Sequence, residues 1–209
     1  MKKIGIILLA AGGSARLGQP KQLLPWKGGT LLSSAAGTAL ESALGPVVAV
    51  LGASGKECRR TLAGLPLRIV LNPAWREGMG GSISAGMEAF RDDQLRGILI
   101  ILCDQPDVTA STLRALDRRQ RTTGAKMVAS RYSGTLGPPA LFTSPLFPRL
   151  IQLRGAVGAK SLFDDAQALE SLPVPEAAFD IDTPADLANV PSCAPRLPSH
   201  APSPALSTS

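Results

Sequence analysis

Residues 4–21, from Ile4 to Lys21, read IGIILLAAGGSARLGQPK, and they set the fold. Ile4–Leu9 is a short apolar run of the kind that forms a strand buried on both faces of a parallel sheet. It empties into a Gly/Ser loop carrying Arg16 and Lys21. Glycines let backbone N–H groups approach an anion closely, and an arginine and a lysine at the lip of such a loop can neutralise a triphosphate. Two familiar phosphate loops do not fit. A dinucleotide fingerprint needs G-x-G-x-x-G, whereas Gly12 and Gly13 are adjacent and Gly18 comes next. Gly13 and Gly18 have the Walker A separation, but Gln19 and Pro20 follow where Lys and Ser/Thr are required, and Lys21 comes too late. The loop is phosphate-directed but of another kind.

Working outward, Val47–Leu51, Leu67–Leu71, Ile98–Leu102 and Lys126–Ser130 repeat the strand signal, while Leu31–Leu44, Gly55–Ala63, Ser82–Arg91 and Ser111–Gln120 have helical spacing. This alternation predicts an α/β fold, a mostly parallel sheet wrapped by helices. Ligands in such folds bind outside the carboxyl ends of the strands, so the loops Ala10–Lys21, Asn72–Gly81 and Cys103–Pro106 should converge on one site. After Ser130 the pattern changes. Gly137-Pro138-Pro139 breaks the chain, Ala140–Phe142 reads as a short strand, and Pro145–Leu153 and Ala159–Ala168 read as helical, an excursion forming the far wall of the pocket. Thr183 is placed to cap a final short helix that has Pro184 at its first position. Residues 1–190 thus read as one domain, and 191–209, mostly Pro, Ser and Ala, as a disordered tail.

Composition narrows the function. With 209 residues, 44% of them hydrophobic, the chain can bury one full core. Aromatics are only 4%, which argues against a base-stacking surface for nucleic acid. The net charge of +6 is scattered except at Arg118, Arg119 and Arg121, which read as the solvated face of one helix. Cys58, Cys103 and Cys193 lack the spacing of a disulfide framework or a zinc site, so a reducing, cytoplasmic setting is expected. Lys2-Lys3 before an apolar run imitates a secretory signal, but a buried strand has the same look. No segment is long enough to span a bilayer. The single histidine, His200, lies in the tail, which excludes most imidazole-dependent chemistry in the folded part.

Two acidic positions stand out. Asp104 directly follows a buried run and should sit at the carboxyl edge of the sheet beside the first loop; Asp182 occupies a comparable strand end. Two carboxylates near a triphosphate suit Mg²⁺, which keeps several waters and takes one or two protein ligands besides phosphate oxygens. The plainer alternative is that each carboxylate caps the turn that follows it.

The motifs Leu9-Ala10-Ala11-Gly12-x-Ser14-x-Arg16-x-Gly18-x-x-Lys21, Asn72-Pro-x-Trp75-x-x-Gly78-Met79-x-x-Ser82-Ile-x-x-Gly86, Asp104-Gln-Pro106 and Asp180-Ile-Asp182-Thr-Pro184-x-Asp186-Leu occur in this order. Together they resemble the MobA-like nucleotidyltransferases, and among them the molybdenum cofactor cytidylyltransferases. The resemblance implies a Rossmann-like three-layer nucleotidyltransferase fold that uses CTP, or another NTP, with Mg²⁺, and a molybdopterin-type acceptor. By the same resemblance Leu9, Ala10, Ala11 and Gly12 present backbone to the nucleotide, Arg16 and Lys21 meet its phosphates, and Asp104 and Asp182 hold the metal. Around Asn72 and Ser82 two readings stay open together, that Trp75 plugs the core and that this loop covers the nucleotide with Ser82 donating a hydrogen bond from a helix N-terminus; a molybdoenzyme could receive the product. A phosphate-monoester nucleophile is already ionised near neutral pH, which agrees with the missing histidine.

The chain departs from that subgroup in the acceptor half. Gly137-Pro138-Pro139 stands where Gly-His-Pro or Gly-Arg-Pro is common, and Gly155-Ala156-Val157-Gly158-Ala159-Lys160 where Gly-Asp-x-Gly-Ala-Arg is common. Other phosphorylated acceptors (a sugar phosphate, methylerythritol phosphate or phospholactate) and a non-catalytic cofactor-delivery role therefore stay open at this point.

Overall fold

The computed structural model describes residues 2–156, 158–165, 168–183 and 185–186. The expected tail and most of the expected last helix lie outside the described residues. A seven-stranded sheet forms from β1 (Lys3–Ala10), β4 (Val47–Leu51), β5 (Arg68–Leu71), β6 (Leu95–Leu102), β7 (Met127–Tyr132), β8 (Thr135–Thr143) and β9 (Leu169–Pro173), in the order β5-β4-β1-β6-β8-β7-β9. Only β8 runs against the others: its pairings with β6 and β7 are antiparallel and every other pairing is parallel. A small hairpin, β2 (Pro25–Trp26) with β3 (Gly29–Thr30), stands apart.

The alternation along β1 explains the layers. Ile6 and Leu8 point into one core with Leu32 and Ala36 of α1 (Leu31–Glu41) and Leu113 and Leu116 of α4 (Ala110–Thr123); α2 (Gly55–Thr61) adds Cys58. Ile7 and Leu9 point the other way, against Ile83 and Met87 of α3 (Met79–Glu88) and Leu150 of α5 (Phe147–Ile151). β1 is therefore buried on both faces, as its unbroken apolar run requires. From β1 the chain winds out to β4 and β5, then crosses back to β6 on the other side. The carboxyl ends of β1 and β6 consequently flank the point where strand order reverses, the place where such sheets bind ligands.

Several elements differ from the sequence expectation. The strand expected at Ala140–Phe142 is the end of a nine-residue strand running through Pro138 and Pro139. The prolines are accommodated by a register shift in β7 between Ala129 and Ser130, and the Ser130 hydroxyl donates to the Pro139 carbonyl at 2.6 Å. Where a helix is expected over Ala159–Ala168, the described residues form only a 3-10 turn at Ala159–Leu162, and β9 and the β2–β3 hairpin have no counterpart in the sequence expectation. On α4, Arg119 pairs with Glu170 at 2.8 Å and Arg121 with Asp117 at 3.0 Å, consistent with a solvated, ion-paired helix face.

Candidate active site

At the carboxyl edge of the sheet the chain leaves β1 at Ala10 and turns through Ala11–Gly13 before a tight bend. Leu17 and Gly18 amides close that bend on the Ser14 carbonyl at 3.0 and 3.2 Å. The bend brings Lys21 back, its amide donating to Ser14 Oγ at 3.0 Å. Gln22 then fixes the loop from beneath: its buried side-chain amide donates to the carbonyls of Ala10, at 3.1 Å, and Gly12, at 2.7 Å. Among the described residues the Gly12 and Gly13 N–H groups have no protein acceptor, as an anion cradle requires.

Lys21 Nζ lies 2.5 Å from Asp104 Oδ2 and 2.5 Å from Asp182 Oδ1. Arg16 reaches the other Asp182 oxygen at 2.6 Å, with its own side chain 73% exposed. Asp182 is brought in because the Ile181 amide donates to the Asp104 carbonyl at 3.2 Å. Burial by itself would lower the Lys21 pKa, but the two carboxylates override it and hold the ammonium charged well above the ordinary lysine range. Burial likewise acts to raise the Asp182 pKa, and Lys21 and Arg16 reverse it, leaving the carboxyl below its usual value. Asp104 Oδ1 is buried with no hydrogen-bond partner. An acceptor-only oxygen left unpaired at a cleft fits a site built for a hard cation or a substrate proton. Among the described residues no group of three or more His, Cys, Asp or Glu could hold a metal, so a cation here would depend on the two aspartates, water and substrate.

A cavity of about 570 Å³ opens beside this cluster, walled by Leu9–Gly13, Lys21, Gln22, Asp104, Trp75, Met79 and Ser82. The three expected loops therefore meet. Asn72 stands behind the wall: its Nδ2 donates to Ser82 Oγ at 3.0 Å and its Oδ1 accepts from the Ala74 amide at 3.1 Å. Ser84 faces away and donates to the Ile151 carbonyl at 2.7 Å. Trp75 is half-buried and joins no core; it lies across the first loop. A Cβ on Gly13 would meet its indole at 2.7 Å, and one on Gly52 would meet the Trp75 Cβ at 2.6 Å and ring Cγ at 2.7 Å, while the Arg76 guanidinium sits 4.4 Å from the ring centroid. A second cavity of about 400 Å³ shares Met79 and Leu102 with the first and brings Pro138, Ala156 and Lys160 together. The sequence reading assigned no role to Gln22, Gln105 or Tyr132, and Gln105 entered it only inside the Asp104-Gln-Pro106 motif. Motif spacing marks Gln105 only through its place after Asp104, and nothing local marks the other two.

The sheet order, the glycine loop at the switch point and the clustered Lys21, Asp104 and Asp182 define a nucleotide-handling α/β enzyme. The sequence pattern of the MobA-like NTP transferase domain matches residues 6–171; the chain belongs to that family and is a nucleotidyltransferase. It is 32% identical over 192 residues to purine catabolism protein PucB of Bacillus subtilis, covering 85% of this chain and 91% of that one. It is 29% identical over 189 residues to molybdenum cofactor cytidylyltransferase of Escherichia coli, covering 89% and 94%. Nicotine blue oxidoreductase of Paenarthrobacter nicotinovorans is 45% identical over 113 residues, a match spanning about half of each protein, 53% of either chain. The crystal structure of Rv0371c from Mycobacterium tuberculosis, in complex with manganese, superposes with a TM-score of 0.71 at 25% identity, covering 90% of this chain and 97% of that one.

Proposed function

We propose that this chain transfers CMP from CTP to the phosphate of molybdopterin and releases pyrophosphate, with Asp104 and Asp182 holding a divalent cation, Mg²⁺ in the reading preferred here. The observation that carries the reading is the Lys21–Asp104–Asp182 cluster, whose Lys21 and Asp104 stand at the wall of one cavity while a second cavity opens across Met79 and Leu102. Such a pair of cavities can hold a nucleotide and an acceptor with their phosphates adjacent. Backbone of Ala10–Gly12 would receive the nucleotide, Lys21 and Arg16 would neutralise its phosphates, and the acceptor phosphate would attack the α-phosphorus without a base. The cation, when bound, offsets charge developing on the departing pyrophosphate. Cytosine and the pterin acceptor are supported by the motif resemblance and by the Escherichia coli relative.

A second reading, another phosphorylated acceptor, is favoured by one observation: Ile100, Phe142 and Phe163 make the second cavity largely apolar, and Pro138 and Ala156 add no polar group. Pyrophosphate release from each of the four NTPs, with and without molybdopterin, tests both. Release confined to CTP plus molybdopterin is expected. Release from CTP only with a different phosphorylated acceptor would replace the first reading by the second.

A further inference from the structure

Tyr132 closes β7 and lines the second cavity, where it is one of very few polar groups. Three observations set its phenol. Gln105 Nε2 approaches the hydroxyl oxygen at 3.4 Å while also donating to the carbonyls of Pro138, at 3.0 Å, and Ala177, at 2.9 Å. A Cβ on Gly137 would run into the Tyr132 hydroxyl, so a glycine is needed there for the ring to lie as it does. Finally, the two Gln105 amide hydrogens go to the Pro138 and Ala177 carbonyls, so the phenol takes only a long, shared contact from it, and among the described residues the phenol's own hydrogen has no acceptor. A phenol that is buried in part, held from two sides and left with an unused donor is poised for a ligand oxygen.

We infer that the Tyr132 hydroxyl donates a hydrogen bond to the acceptor substrate, and that Gln105 positions it by tying the Asp104 loop to the β8 segment at Pro138. The inference rests on the second cavity being the acceptor site, as proposed above. It deepens that reading by naming a specificity contact: the acceptor must offer an anionic or carbonyl oxygen to the Tyr132 hydroxyl, beside the apolar wall. Burial pushes the phenol's pKa up, with Asp180 and Asp104 adding to the shift, so the group is a donor across the physiological range. Asp104 and Gln105 are consecutive, so the contact also couples acceptor occupancy to the proposed metal loop.

The chain contains one tyrosine. Full-length enzyme labelled with 3-fluorotyrosine therefore gives a single ¹⁹F resonance that reports on Tyr132 without requiring turnover. That resonance is expected to move on adding molybdopterin and to stay nearly still on adding CTP. Tyr132→Phe, which keeps the ring and the packing, should raise the acceptor KM ~10-fold, the scale of a hydrogen bond to a charged group, with the CTP KM and the melting temperature nearly unchanged. Gly137→Ala should produce the same split by displacing the ring. If another phosphorylated compound proves to be the acceptor, the pterin reading fails while the same shift and KM split with that compound sustain the Tyr132 contact. A resonance indifferent to every phosphorylated compound that supports turnover, with a wild-type acceptor KM for Tyr132→Phe, overturns the contact whichever acceptor is used. A resonance that moves with none of them in an enzyme that turns over none overturns both.

Discussion

Lys21 and Asp104 are 83 positions apart, yet the Lys21 ammonium lies 2.5 Å from one Asp104 oxygen while the other Asp104 oxygen is buried and unpaired. The lysine thus occupies one side of the carboxylate and leaves the second for a ligand. If that ligand is the cation of the proposed reaction, Asp104→Ala should leave a folded protein whose pyrophosphate release is slower by ~10²-fold or more, the usual scale for losing such an electrostatic contribution. A soluble variant with a near-wild-type rate at saturating Mg²⁺ removes Asp104 from the machinery.

Lys21 and Arg16 should act on phosphates and not on the base. Lys21→Ala and Arg16→Ala are expected to weaken CTP binding much more than cytidine binding, with Lys21 the larger effect because Arg16 is mostly solvated and screened. Calorimetric titrations with the two ligands measure the difference; equal losses for both would move these residues away from the triphosphate.

The ion pairs also give the fold a pH dependence. The folded-state pKa of Asp182 is depressed, so its contribution is present above the unfolded carboxylate's value of about 4 and is lost as pH falls through the lower folded value. The folded-state pKa of Lys21 is raised, so its contribution is complete below about pH 10 and is lost only at more alkaline pH. Asp182→Asn should therefore melt below wild type at pH 7, and the two melting curves should converge over the acid interval below about pH 4. A melting difference that stays constant over that interval would show that the pairs contribute nothing to stability.

Trp75 locks the first loop by lying on Gly13 and Gly52. Gly13→Ala puts a methyl group where the indole now sits, so the ring or the loop must move, an overpacking cost of about 1–3 kcal/mol. In a protein of this size that lowers the melting temperature by roughly 2–12 °C. The CTP KM should rise in step, because the displaced backbone is the proposed nucleotide cradle. Trp75→Ala combined with Gly13→Ala should recover part of the CTP KM loss; no recovery would mean that the alanine harms the loop by itself.

How much of this was legible in the sequence varies with the range of the interaction. Ile4–Leu9 announced a central strand because both of its faces are buried, and the loops at Ala10, Asn72 and Cys103 could be placed together because parallel strands deliver their carboxyl ends to one edge. Asp104 and Asp182 were visible as strand-end carboxylates, but their sharing of Lys21 depends on the Ile181-to-Asp104 backbone bond, which no local pattern encodes. β8 was underestimated because Pro138 and Pro139 read as breakers, and only the register shift in β7 makes room for them. β9 pairs with β7 only after the chain has passed through β8 and α5, and its half-polar sequence carried little strand signal. Gln22 and Gln105 went unseen because their work is done on distant carbonyls and a phenol, and a glutamine's partners are not written in its neighbours.

Lys160 offers a test of the proposed acceptor cavity that is independent of Tyr132. It is an exposed residue in the 3-10 turn Ala159–Leu162, with no ion pair among the described residues, and it borders the second cavity. An exposed lysine ordinarily does nothing measurable for stability or binding. Beside an otherwise apolar pocket, however, it is the cation to which an anionic acceptor would be drawn. Lys160→Ala is therefore expected to raise the KM for molybdopterin several-fold while leaving the CTP KM and the melting temperature in place, the signature of lost acceptor binding alone. Raising the ionic strength should shrink the difference between the two enzymes, since a solvated cation's attraction is screened within about 10 Å at 0.1 M salt. Wild-type values for both constants at low salt would return Lys160 to the solvated surface and place recognition of the acceptor's charge elsewhere in the cavity.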